Sequence, residues 1–144
     1  MNVETLEKLF SVVLNEVSDS IIWRLEGSVN LFVQGINTTF KDLDITTDSR
    51  GMEFFREKLK QYILKDYFNE TIKTQIIVCN IFNEEVEILF YQDKELRMFN
   101  NVEELCWKNY DLKVLPLVFA KKFYQIIGKE KKVKLIEENC GDKS

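Results

Sequence analysis

Residues 22–46, IWRLEGSVNLFVQGINTTFKDLDIT, decide how the chain folds. An apolar run from Ile21 to Leu25 meets Gly27 and Ser28, then a short stretch of helical character, then an alternating run that carries Asp42 and Asp44. The order reads as strand, glycine turn, helix, strand. Residues i and i+2 of a strand share a face, so the two carboxylates project together while Leu43 and Ile45 turn into a core. Two like charges side by side are unfavourable unless a cation or a proton offsets them, and a divalent metal is the obvious candidate.

The rest of the composition narrows what such a pair can do. At 144 residues, one domain over 1–144 is the default, large enough to bury a core without staples. No apolar stretch is long enough to span a membrane, and MNVETLEKLF lacks the basic start and apolar block of a signal peptide, so the expected location is cytoplasmic. A net charge of −4 argues against a general nucleic-acid coat. Cys79, Cys106 and Cys140 are odd in number and far apart, which suggests neither a disulfide framework nor a zinc motif. The chain has no histidine. That removes Ser-His-Asp and Cys-His nucleophiles, histidine zinc sites and histidine general bases together. Catalysis must rest on carboxylates, lysines, tyrosines, thiols or a bound metal.

Periodicity places the elements. Leu6, Leu9, Phe10, Val13, Leu14 and Val17 recur at helical spacing over residues 3–17. Ser28 is a good cap for a short helix over 28–36, and Gly35 and Asn37 suit its end. A second strand spans 40–46, and Asp48 with Ser49 caps a helix over 50–64. Residues 72–82 and 85–91 read as a hairpin turning at Asn83 and Glu84, with Val86, Ile88 and Phe90 on one face and Glu85, Glu87, Leu89 and Tyr91 on the other. Within 92–114, a helix beginning at Asn101 and a short edge strand at YDLKVL are expected. Pro116 fits the first turn of a helix ending at Gly128, residues 130–139 form a last helix, and the tail CGDKS is expected to fray. The expected class is α+β, a two-layer domain with a mixed β-sheet and helices packed on one face.

Three features then converge. The strand entering Gly27 and Ser28 leads to backbone amides suited to a phosphate, the next strand brings Asp42 and Asp44, and a later strand offers Glu87 between Val86 and Ile88. Hard oxygen ligands of this kind hold magnesium. Taken singly, each signal is weak: acidic pairs at strand ends and Gly-Ser turns are common. Glu85 and Asp93 rival Glu87, and Asp48 reads better as a helix cap than as a ligand.

Gly27-Ser28, thirteen intervening residues and Asp42-Leu43-Asp44-Ile45 resemble the signature of the DNA polymerase β-like nucleotidyltransferase superfamily. Glu87 stands where that superfamily carries its third carboxylate. The chain's size is similar to the minimal nucleotidyltransferases, including those of abortive-infection and toxin–antitoxin systems. Glu26 departs from the apolar residue usual before the glycine, and the aspartate often found after a C-terminal basic residue is replaced by Val133. The resemblance implies a palm-like fold and the transfer of a nucleoside monophosphate from a triphosphate such as ATP to a hydroxyl, with release of pyrophosphate. It implies that Asp42, Asp44 and Glu87 hold Mg2+ or Mn2+ and are catalytic. Gly27 and Ser28 would bind the β- and γ-phosphates. Ala120-Lys121-Lys122 resembles an Ala-x-Lys that places Lys122 near the triphosphate, with Lys121 as its rival. The acceptor is a protein, RNA or small molecule, and no membrane is involved. The alternative is an inactive binding module acting through a toxin-like protein partner. The run Lys129, Lys131, Lys132 and Lys134 reads as a solvated helix face.

Overall fold

Alternating apolar residues in the central strands bury one side of a sheet under the N-terminal helices. In the computed structural model, which describes residues 1–139, the elements run α1 (Val3–Val13), β1 (Trp23–Glu26), α2 (Gly27–Val33), β2 (Asp42–Thr47), α3 (Ser49–Lys58), β3 (Ile63–Asn69), β4 (Thr74–Ile81) and β5 (Glu84–Tyr91). They continue through α4 (Lys94–Arg97), β6 (Glu103–Trp107), β7 (Tyr110–Val114), α5 (Leu117–Ile127) and α6 (Glu130–Asn139). Cys140 and the tail expected to fray lie outside the described residues. Among the described residues, no helix is long and apolar enough to cross a membrane.

The main sheet has five strands in the order β1-β2-β5-β4-β3. It is mixed: β2 runs parallel to β5, while the β1–β2, β5–β4 and β4–β3 pairs are antiparallel. Leu25, Leu43, Ile45, Ile77, Val86 and Ile88 face α1, α2 and α3 and are fully buried. Each such side chain contributes roughly 1.5–3 kcal/mol when withdrawn from water. The α+β class with a mixed sheet is as expected, but helices do not stay on one face. Ile76, Leu89 and Tyr91 project to the opposite side, where Ala120, Phe123 and Tyr124 of α5 and Ile136 of α6 cover them. The uncovered part of that second face carries the acidic residues.

Several boundaries differ from the sequence reading for identifiable reasons. The first helix stops at Val13, and Glu16 sits at φ 59°, where a helix cannot continue. The helix after β2 ends at Lys58, and β3 follows as an edge strand that the periodicity did not reveal. Its Leu64, Lys65, Asp66 and Tyr67 are all exposed, so pairing with β4 rather than burial defines it. The hairpin turns at Phe82 and Asn83, one residue early, with φ of 55° and 63°. Positive φ at both central residues matches the twist of the flanking strands. The helix expected at Asn101 is instead β6, paired with β7 through a like turn at Lys108 and Asn109. Phe10 packs against Trp107 and Tyr110 at 5.7 Å between ring centroids, which docks this hairpin on α1. Pro116 caps α5 rather than occupying its first turn, its carbonyl accepting from the Phe119 and Ala120 amides at 2.9 Å.

Candidate active site

Strand register brings the acids together. Glu26 of β1 lies opposite Asp44 of β2, which lies opposite Glu87 of β5, and Asp42 lies opposite Glu85. Cross-strand partners share a face, so five carboxylates occupy adjacent places on the second face of the sheet. Glu87 thus faces the same side as Asp42 and Asp44. Its rival Glu85 is a neighbour in this cluster, whereas Asp93 caps α4 by accepting from the Glu95 amide. Asp48 caps α3 by accepting from the Gly51 amide at 2.8 Å.

Asp44 is the most confined of these acids. Its Oδ1 is buried and has no hydrogen-bond partner. Burial, then the nearby charges of Glu26, Glu87, Asp42 and Glu85, push its carboxyl well above the usual range. Burial chiefly, then Glu85, Asp42 and Glu26, also push Glu87 up to about 7, with a hydrogen bond to Glu85 contributing. A carboxyl–carboxylate hydrogen bond needs a shared proton. Protons therefore offset part of the crowded charge when no cation does. Among the described residues, no three acidic or sulfur side chains are arranged to close around one ion. The donor set nevertheless fits a hard divalent cation: oxygens only, like charges packed together, and a buried carboxylate oxygen left without a partner.

Gly27 explains how β1 can run so close to Asp44. Its φ is +73°, and a Cβ there would lie 2.7 Å from Asp44 Oδ2. Only glycine meets both demands. The helix begins at Gly27 rather than Ser28, and the Ser28 hydroxyl serves another purpose, accepting a hydrogen bond from Lys132 Nζ. Ser28, Thr38, Thr39, Lys41, Asp42, Asp44 and Lys132 line one cleft of about 260 Å3. Acids stand beside lysines and hydroxyls there, an arrangement able to bind a phosphate chain and its cation together.

Lys122 does not reach this cleft. It is exposed, 5.4 Å from the Phe119 ring centroid, and lines a separate groove with Lys94 and Arg97. Lys121 pairs with Glu137 at 3.1 Å. The lysines that share the cleft with Asp42 and Asp44 are Lys41 and Lys132, the latter from the run read as solvated.

Two further residues escaped the sequence reading. Glu26 accepts hydrogen bonds from Thr46 Oγ1 at 2.6 Å and from the Tyr91 hydroxyl at 2.8 and 2.9 Å. Arg24, completely buried, lies 3.9 Å from Glu26 and donates to the carbonyls of Leu25, Leu96 and Arg97. Burial lowers its proton affinity and Glu26 opposes that shift. The signal was present: an arginine inside the apolar run IIWRL needs a buried anion.

The fold is similar to those of solved nucleotidyltransferases. A candidate nucleotidyltransferase from Thermotoga maritima superposes with a TM-score of 0.71 at 19% identity, covering 96% of this chain and 92% of that one. The lincosamide antibiotic adenylyltransferase LnuA, solved with lincomycin, gives 0.62 at 10% identity, covering 95% and 97%. The antibiotic-resistance protein ANT(2'')-Ia, solved with adenylyl-2''-tobramycin, gives 0.62 at 10% identity, covering 96% and 91%. These likenesses are of fold. No family model and no curated protein sequence matches the chain.

Proposed function

We propose that this protein transfers a nucleoside monophosphate from a nucleoside triphosphate to an acceptor hydroxyl and releases pyrophosphate. The observation that carries the reading is the buried, unpartnered oxygen of Asp44 among four other carboxylates, beside a glycine whose missing side chain keeps the strand against it. A scaffold acting only through a protein partner has no physical need for such crowding. Asp42, Asp44 and Glu87 would hold Mg2+ or Mn2+, which supplies charge neutralisation for the triphosphate and the departing pyrophosphate. Gly27 and Ser28 face the β- and γ-phosphates. The acceptor oxygen attacks the α-phosphorus in line, the new P–O bond forms, and the bond to the bridging oxygen of pyrophosphate breaks. Glu87, as a carboxylate, takes the acceptor's proton.

The test is incubation with α-labelled nucleoside triphosphates, Mg2+ or Mn2+, and a panel of acceptors. Proteins, RNA and hydroxyl-bearing antibiotics such as lincomycin and tobramycin belong on it, given the acceptors of two proteins of this fold. Label transfer by the wild type and its loss in Asp42→Asn/Asp44→Asn is the expected result. Absence of both cation-dependent triphosphate binding and transfer in the wild type overturns the reading.

A further inference from the structure

Glu26 lies directly across the β1–β2 pair from Asp44, where the nucleotidyltransferase signature has an apolar residue. A carboxylate there is costly, because Glu26 is half-buried and adds to the charge already crowded on that face. Its neighbours nevertheless hold it firmly. Oε1 accepts from Thr46 Oγ1 at 2.6 Å and from the Tyr91 hydroxyl at 2.8 Å, and Oε2 accepts from the same hydroxyl at 2.9 Å. The Arg24 guanidinium stands 3.9 Å from Oε1, its own donors committed to the carbonyls of Leu25, Leu96 and Arg97. A carboxylate with donors on both oxygens is not free to turn and enclose an ion. It still acts through its charge. Burial apart, Glu26 is the strongest of the influences that raise the Asp44 carboxyl, ahead of Glu87, Asp42 and Glu85.

We propose that Glu26 is a positioning residue for the cation, a fixed negative charge that strengthens divalent-ion binding at Asp42 and Asp44 without ligating the ion. The inference rests on the nucleotidyl-transfer reading, which brings the cation to these acids. A divalent ion carries twice the charge of the proton it displaces, so the field of Glu26 favours the ion over the proton. Thr46 and Tyr91 fix the distance over which that field acts. Arg24 offsets the desolvation of the Glu26 carboxylate. On the strand Arg24 stands opposite Thr46, a place further from Asp44 than Glu26 is. Its opposing charge therefore weakens the field at Asp44 without cancelling it.

The experiment measures Mn2+ binding at pH 8, without nucleotide, from the loss of the free-ion electron paramagnetic resonance signal. Wild type, Glu26→Gln, Glu26→Asp, Arg24→Met/Glu26→Gln and Asp42→Asn/Asp44→Asn are compared. Glu26→Gln keeps the shape of the side chain and removes its charge, so Mn2+ affinity is expected to fall about tenfold to a hundredfold. Glu26→Asp retains the charge and should stay within about fivefold of wild type. Arg24→Met/Glu26→Gln leaves no unpaired guanidinium, and should bind about threefold to tenfold more weakly than wild type. Undiminished Mn2+ binding by Glu26→Gln or by Arg24→Met/Glu26→Gln overturns the inference and leaves nucleotidyl transfer standing. Equal losses in Glu26→Asp and Glu26→Gln also overturn it, because they mark a ligand's geometry rather than a charge. If Glu26→Gln does not fold, Arg24→Met/Glu26→Gln decides alone. A wild type that binds Mn2+ no better than Asp42→Asn/Asp44→Asn overturns both readings.

Discussion

Gly27 and Gly35 both have positive φ, yet they answer to different constraints. At Gly35 a Cβ would meet nothing within 4 Å, whereas at Gly27 it would strike the Asp44 carboxylate. Alanine at either position has a backbone cost of roughly 1–2 kcal/mol. Gly27→Ala should in addition displace Asp44, so label transfer falls at least about tenfold, while Gly35→Ala loses stability and keeps activity. Parallel melts and transfer assays on the two variants check this, and equal activity losses would count against it. Glu87 gives a pH prediction. Its carboxyl holds a proton up to about 7 when folded, against an ordinary 4.5. An acid whose pKa rises on folding contributes stability that is fully present below the unfolded value and lost as pH rises through the folded one. The cation-free protein should therefore weaken between about pH 4.5 and 7, and the raised Asp44 carboxyl adds to the loss. Glu87→Gln should flatten that slope and stabilise the cation-free protein at pH 8 by on the order of 1 kcal/mol. Chemical denaturation across pH with a chelator present is the measurement.

The Arg24 side chain ties strand β1 to helix α4. Arg24 donates to the carbonyls of Leu96 and Arg97 at the end of α4, stacks 5.1 Å from the Phe123 ring centroid on α5, and faces Glu26. Arg24→Met leaves the half-buried Glu26 carboxylate without its cation and strips two helix-end carbonyls of their donor. The expected loss is about 3–5 kcal/mol. Arg24→Met/Glu26→Gln should recover a substantial part, because the stranded charge goes with it. A double-mutant cycle by denaturant unfolding reads this coupling, and strict additivity would refute it. The same elements show what pattern alone can reveal. The α1, β2, β5 and α5 segments were legible from the period of their apolar residues, and β4 from its run of β-branched and apolar ones. The exposed β3 was not, since its strand character lies in hydrogen bonds to β4 rather than in its side chains.

For the molecule as a whole, the acidic face is a local instability that a bound cation should relieve. Mg2+ or Mn2+ should raise the thermal midpoint of the wild type at pH 8 and do so less at pH 5.5, where protons already offset the charge. Asp42→Asn/Asp44→Asn should abolish the difference, and calorimetry with and without a chelator checks it. The sequence by itself determined the alternation that turns Leu43 and Ile45 to one face and Asp42 and Asp44 together to the other. It also determined the glycine turn ahead of them and the exclusion of histidine chemistry. These are local facts, fixed by a two-residue period and by residue type. Tertiary structure decided which distant groups meet those acids. Parallel pairing of β2 with β5 set Glu87 beside Asp44, and antiparallel pairing with β1 added Glu26. The packing of α6 brought in Lys132 rather than Lys122. One residue of register, on a helix or on a strand, redirects a side chain, and only the packed core sets that choice.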